Sequence, residues 1–160
     1  MPTPPPPPQY LPIEARWCLE APAPAPAGTA TGAPACIALE VARTVQQQSW
    51  GLMQRPPLPP LRGMWFPYDQ PQVLKFWMHR TPAPLDMLFL RSGRVLAIEA
   101  GASPCPRLPC RSYGPDDPAD GVVELAAGEA ARLGIQVGAT VRITPLPAAA
   151  VAPPAAPARD

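Results

Sequence analysis

The stretch LDMLFLRSGRVLAIEA, residues 85–100, sets two apolar runs on either side of Ser92-Gly93. Runs of this length, joined by two small turn-forming residues, read as an antiparallel hairpin with a tight turn. Outward from it, the chain keeps offering short strand-like segments. IEARWCLE (13–20) alternates apolar and polar residues, and CIALEVAR (36–43) follows as a second strand. GMWFP (63–67), VLKFWMH (73–79), GVVELA (121–126) and ATVRIT (139–144) read the same way. Two short helices interrupt them. TVQQQSWGLM (44–53) opens with Thr44 and has Gln47 three residues later, a capping-box pattern, and should turn Val45 and Trp50 or Leu52 inward. AGEAARLG (127–134) ends on Gly134 as a C-cap. The expected fold is mainly β (α+β), a small barrel-like curled antiparallel sheet with two short helices. The ending GEAARLGIQVGATVRI suits a barrel whose short helix plugs one end.

Proline is 29 of 160 residues, several times the usual share, and it collects at the ends. Such segments lack apolar periodicity and cannot offset the entropy of ordering. The expected organisation is a disordered arm over 1–9, one β-rich domain over 10–144 with a flexible Ala/Pro loop at 21–35, and a disordered tail over 145–160. RPPLPPLRG (55–63) reads as a rigid turn, with capture by a proline-recognising domain as the alternative.

Net charge is +1 with acidic and basic residues interleaved, so no basic face for nucleic acid is expected. No run approaches the ~20 apolar residues of a membrane span. MPTPPPPPQY lacks the charged start and apolar stretch of a secretion signal, which points to the cytoplasm. The cysteines complicate that expectation. Cys18 and Cys36 lie on neighbouring strands and Cys105 and Cys110 bracket PRLP, so two disulfides or four thiols are both open readings. Disulfides would argue for an oxidising compartment. Zinc binding fits poorly, because neither pair has the usual short spacing, and no cofactor or metal is expected.

The polar residues among the apolar strands are the candidates for function. Asp86 alternates with Leu88 and Leu90 and needs a partner if buried. It either caps backbone N–H groups near Thr81 or pairs with Arg55, or it anchors a ligand in a pocket with Met53, Arg55, Trp77 and His79. Thr81 and Glu124 read as structural polar residues, Glu124 being expected on the surface or paired. Catalysis through Asp86 or His79, the sole histidine, is the competing enzymatic reading. A third is Cu(I) held by thioethers of Met53, Met64, Met78 and Met87 with His79. The first reading, a monomeric binding or accessory module for a small ligand or protein partner, takes precedence over an enzyme.

Four ordered blocks carry a resemblance to a known family. Gly51, Leu52, Met53 and Arg55 make a GLM-x-R segment, and Gly63, Met64 and Phe66 a GM-x-F segment. Trp77, Met78, Thr81, Pro84, Leu85, Asp86 and Phe89 make WM-x-x-T-x-x-PLD-x-x-F, and Glu124 and Gly128 close the pattern. These resemble the domain-of-unknown-function 192 family, a bacterial and archaeal group of small single domains, over about residues 37–144. The WCL and CI strands and the PCPRLPC loop resemble its cyanobacterial branch. The family usually has Lys-Asn where this chain has His79-Arg80, and Leu where it has Val123. The resemblance implies a fold and a family, and no established activity.

Overall fold

The computed structural model describes residues 3–20 and 34–147. In chain order the elements are β1 (Ile13–Cys18), β2 (Cys36–Val41), α1 (Val45–Trp50), β3 (Arg62–Gln72), β4 (Phe76–Trp77), β5 (Leu85–Arg91), β6 (Arg94–Ala102), β7 (Ser112–Tyr113), β8 (Ala119–Ala126), α2 (Glu129–Arg132) and β9 (Ile143–Pro145). Seven strands form one sheet in the order β6-β5-β8-β3-β2-β1-β9, and β4 pairs with β7 in a separate ribbon. The fold is mainly β with two short helices, as the hairpin and strand signals imply.

Two features depart from the expected antiparallel barrel. β2 and β3 run parallel, because α1 and the proline-rich segment after it carry the chain back to start β3 alongside β2. The main sheet is also open. The segment before β9 reaches the start of β6 through Val95 N–H to Ala139 O (3.0 Å), Gly138 N–H to Val95 O (2.8 Å) and Val141 N–H to Gly93 O (2.8 Å). Around them lies a single isolated bridge, Arg94 with Thr140, so no continuous ladder closes the sheet into a barrel.

The central strands are apolar on both faces. All of Leu85–Leu90 is buried, and so is Gly121–Leu125. One face gathers Met64, Phe66, Met87, Phe89 and Val122 with Leu52, Met78 and Tyr113. The other gathers Leu88, Leu90, Val123 and Leu125 with Trp17, Ile37, Leu39 and Ala130. Close packing explains Gly63, where a Cβ would lie 2.8 Å from Leu125 Cδ2 and 2.9 Å from the Glu124 carbonyl oxygen.

Helix α1 is capped as expected. Gln47 N–H donates to Thr44 Oγ1, and Gln47 Oε1 accepts from Thr44 N–H, both at 3.1 Å. Its inward face differs from expectation. Val45 is 84% exposed and α1 buries no residue of its own, while Leu52, just past its end, enters the core. Six residues make too few turns for a stripe, so one anchor beyond the C-cap seats the helix.

The VLKFWMH strand shrinks to Phe76–Trp77, yet burial still alternates there, with Leu74 and Met78 inside and Lys75 and Trp77 outside. At the N-terminus, part of the expected disordered arm over 1–9 is seated. Gln9 Nε2 donates to Gln47 O (2.8 Å) and Gly51 O (2.9 Å), Arg80 donates to Thr3 O (3.2 Å), and Tyr10 lies over Arg55. Residues 1–2, the Ala/Pro loop from 21 to 33 and the tail from 148 lie outside the described residues. Among those described, no helix is long and apolar enough to cross a membrane.

Candidate functional site

The candidate residues do not converge on one place. Arg55 is buried against Glu40, its Nη1 donating to both carboxylate oxygens at 2.7 and 2.8 Å and to Gln9 O at 3.3 Å. Leu11 N–H donates to the same carboxylate at 2.8 Å, and the Tyr10 ring lies 4.3 Å from the guanidinium. This buried pair joins the N-terminal segment to β2 and to the chain after α1.

Asp86 is occupied elsewhere. Oδ1 accepts from Gly101 N–H (2.9 Å), and Oδ2 accepts from Gly128 N–H (3.1 Å) and Ala130 N–H (3.0 Å). The expectation of a cap is right in kind and wrong in place, since the donors come from β6 and the start of α2, not from Thr81 or Arg55. Three backbone donors commit both oxygens of a side chain that is 1% exposed. Asp86 therefore does not belong with Trp77 as a ligand anchor.

A pocket of about 400 Å³ opens on the other face of the sheet. Its walls are the end of α1 through Met53, Phe66 and Tyr68 of β3, Lys75 to Trp77, Thr81, Ser112 and Glu124 of β8. Phe66 and Phe76 meet edge to face at 5.1 Å, and Phe76 and Phe89 do so at 6.1 Å. Val45 and the 46%-exposed Trp77 give the pocket an apolar rim. Of the expected binding residues, Met53 and Trp77 reach it. Thr81 also does, with its hydroxyl donating to His79 O at 3.3 Å.

Glu124 is the residue that the sequence reading misjudged. It sits in register between Met64 of β3 and Met87 of β5, on the face lined by thioethers and aromatic rings. It is neither on the surface nor paired. Among the described residues no hydrogen-bond donor reaches its carboxyl, and burial pushes its pKa up to about 8. Gly51, held at φ +46, lies over it, and a Cβ there would come within 3.7 Å of Oε1 and 3.3 Å of the Phe66 ring. Tyr68 is pushed above its ordinary value, first by burial and then by the Glu124 charge. Lys75 is turned to Gly114 O (2.6 Å) and Asp116 (3.0 Å). One signal for Glu124 was present in GVVELA, a lone acid within an unbroken apolar strand.

The other readings disperse as well. His79 packs its ring against Trp77 at 4.9 Å. Met64, Met78 and Met87 are core residues with no exposed surface, whereas Met53 lines the pocket. Both cysteine pairs are disulfides, Cys18–Cys36 across the β1–β2 register and Cys105–Cys110 across the PRLP loop.

Residues 27–143 match the family model of domain of unknown function 192 (DUF192), described as "Uncharacterized ACR". A crystal structure of a protein of unknown function from Novosphingobium aromaticivorans is 31% identical, with a TM-score of 0.65 over 81% of this chain and 83% of that one. A Sinorhizobium meliloti protein described as a candidate transcription regulator is 30% identical, with a TM-score of 0.66 over 86% of this chain and 97% of that one. Comparison with curated proteins finds no match.

Proposed function

The chain belongs to the domain-of-unknown-function 192 family, and from that premise and its pocket we propose a small-molecule binding module. The observation that carries the reading is Glu124, a buried carboxyl with no partner among the described residues, facing a cavity lined by aromatic rings. A polar group without a partner is costly in a core, so a core selected for packing alone would hold an apolar residue there. Apolar walls around one polar anchor are the usual make-up of a ligand pocket, and 400 Å³ lies within the usual size range of roughly 300–1,000 Å³. Trp77 keeps its place in this reading, and Glu124 takes the anchoring role first assigned to Asp86.

The enzymatic alternative loses its named residues, since Asp86 is committed to backbone donors and His79 packs at a tilt against Trp77 and does not line the cavity. Copper binding is weakened because Met78 points into the core while His79 turns to Trp77. The disulfides support an oxidising compartment in place of the cytoplasm.

The test is a fragment screen on isotope-labelled protein, read by amide and indole chemical shifts. Binding fragments should move Gly51, Met53, Trp77 and Glu124 together, and Trp77→Ala should weaken them. Fragments that cluster only elsewhere would refute the pocket.

A further inference from the structure

Resting on that pocket reading, we propose that the ligand class is an organic cation with at least one N–H. It would be a primary or secondary ammonium on an apolar or aromatic body, donating to the Glu124 carboxylate.

Three observations carry it. The walls present five aromatic residues, Trp50, Phe66, Tyr68, Phe76 and Trp77, and ring faces attract cations. The one carboxyl at the wall has no hydrogen-bond donor among the described residues, so an ammonium gains a charge-assisted hydrogen bond there. The one cation at the wall, Lys75, is already bonded to Gly114 O and Asp116 and does not neutralise Glu124. An anionic ligand could accept a hydrogen bond from the neutral acid, but the negative faces of the rings would repel it. A neutral ligand could bond to the protonated carboxyl, but it would leave the aromatic faces without their electrostatic partner. The exposed Val45 and Trp77 rim suits the apolar body of the ligand.

The proton balance is explicit. Burial keeps Glu124 protonated in the empty pocket up to about pH 8. Entry of an ammonium at pH 7 therefore expels that proton to the buffer, leaving a carboxylate–ammonium pair and no net change in pocket charge. The groups facing Glu124 are Tyr68 from β3 and Lys75 from the segment before β4. α1 presents the uncharged Gln48 and Ser49.

The experiment titrates the full chain with benzylammonium, benzyl alcohol and benzyltrimethylammonium, by calorimetry in buffers of different ionisation heat and by chemical shift. Benzylammonium should bind at least about tenfold tighter than either of the others, and release close to one proton at pH 7. Its affinity should rise roughly tenfold from pH 6 to pH 7, as expected of a site that must lose a proton. Glu124→Gln should abolish the proton release and the preference for the ammonium, while benzyl alcohol still shifts Gly51 and Trp77. Equal affinity for ammonium and alcohol in the wild type, or binding without proton release, would overturn the cation assignment and leave the pocket standing. Absence of pocket shifts with all three probes would overturn both. The wild-type comparison decides the matter even if the variant fails to fold.

Discussion

Asp86 on β5 is in register with Leu125, and Glu124 on β8 with Met87, so the two carboxyls are neighbours that point to opposite faces of one ladder. Their chemistry diverges because their surroundings do. Asp86 meets the N–H groups at the start of α2 and of Gly101, which fill the acceptor sites of both its oxygens. Asp86→Ala would orphan three buried donors and should cost about 3–5 kcal/mol; Asp86→Asn, which keeps one acceptor, should cost less, both read from denaturant midpoints. Glu124, with no such donors among the described residues, carries a pH signature. Its folded pKa is raised from 4.5 to about 8, so the folded state holds the proton more tightly. Stability from this group is full below pH 4.5, declines as pH rises through 8, and is flat above, a fall of about 3–5 kcal/mol in all. Glu124→Gln, a mimic of the neutral acid, should remove that decline, so that the variant matches the wild type at pH 5 and exceeds it at pH 9 in thermal unfolding. An identical pH profile in the two proteins would contradict the assignment. Residue type alone could not separate these two acids, because the difference lies in what crosses the sheet above each. The backbone of Arg80 was not read either: the chain holds it at φ +57, a conformation that Asn, the usual residue of the family pattern there, tolerates better than most.

Among the elements, those with local signals were the readable ones. The Ser92-Gly93 hairpin, the Thr44–Gln47 box and β1, β2, β5 and β8 all come from turn chemistry or from apolar runs within the segment itself. The shrinkage of VLKFWMH to two paired residues was not local. It depends on β7, a two-residue strand inside a Pro- and Gly-rich loop with no strand pattern of its own. The outward turn of Val45 follows from the shortness of α1, which is seated by Leu52 beyond its end. The cysteines stood between: their placement allowed disulfides, and the pairing of β1 with β2 brings Cys18 opposite Cys36. The sequence separations are 18 and 5 residues, so loop-closure entropy assigns about 3 kcal/mol to Cys18–Cys36 and about 2 kcal/mol to Cys105–Cys110. A Cys18→Ser/Cys36→Ser variant should therefore lose more stability than a Cys105→Ser/Cys110→Ser variant. Protein purified without reductant should show no reactive thiol until denatured and reduced. Four titratable thiols in the native protein would refute both bridges.

At the scale of the molecule, the nearly continuous apolar runs LDMLFL and VVELA, each holding a single acid, carry more than strand propensity. A strand with one wet face alternates; a strand apolar throughout is covered on both sides. β5 and β8 are such strands, with Phe89 and Val122 feeding one core while Leu88 and Val123 feed the other. The curled sheet expected from the strand count has this two-faced centre, and what the sequence could not specify was its open edge and the parallel β2–β3 pair, which depend on long-range register. Because the same backbone serves both cores, neither can be lost while the other stays. Leu88→Ala and Phe89→Ala, on opposite faces, should each cost about 2–5 kcal/mol and lower one common transition. The indole resonance of Trp17 in one core and the ring resonances of Tyr113 in the other should be lost at a single midpoint in both variants. The slowest amides of β5 and β8 should exchange with the same free energy as global unfolding. Separate midpoints for the two probes would mean that the pocket side can open while the Trp17 side stays folded, and the pocket would then have to be treated as a mobile layer on a stable one.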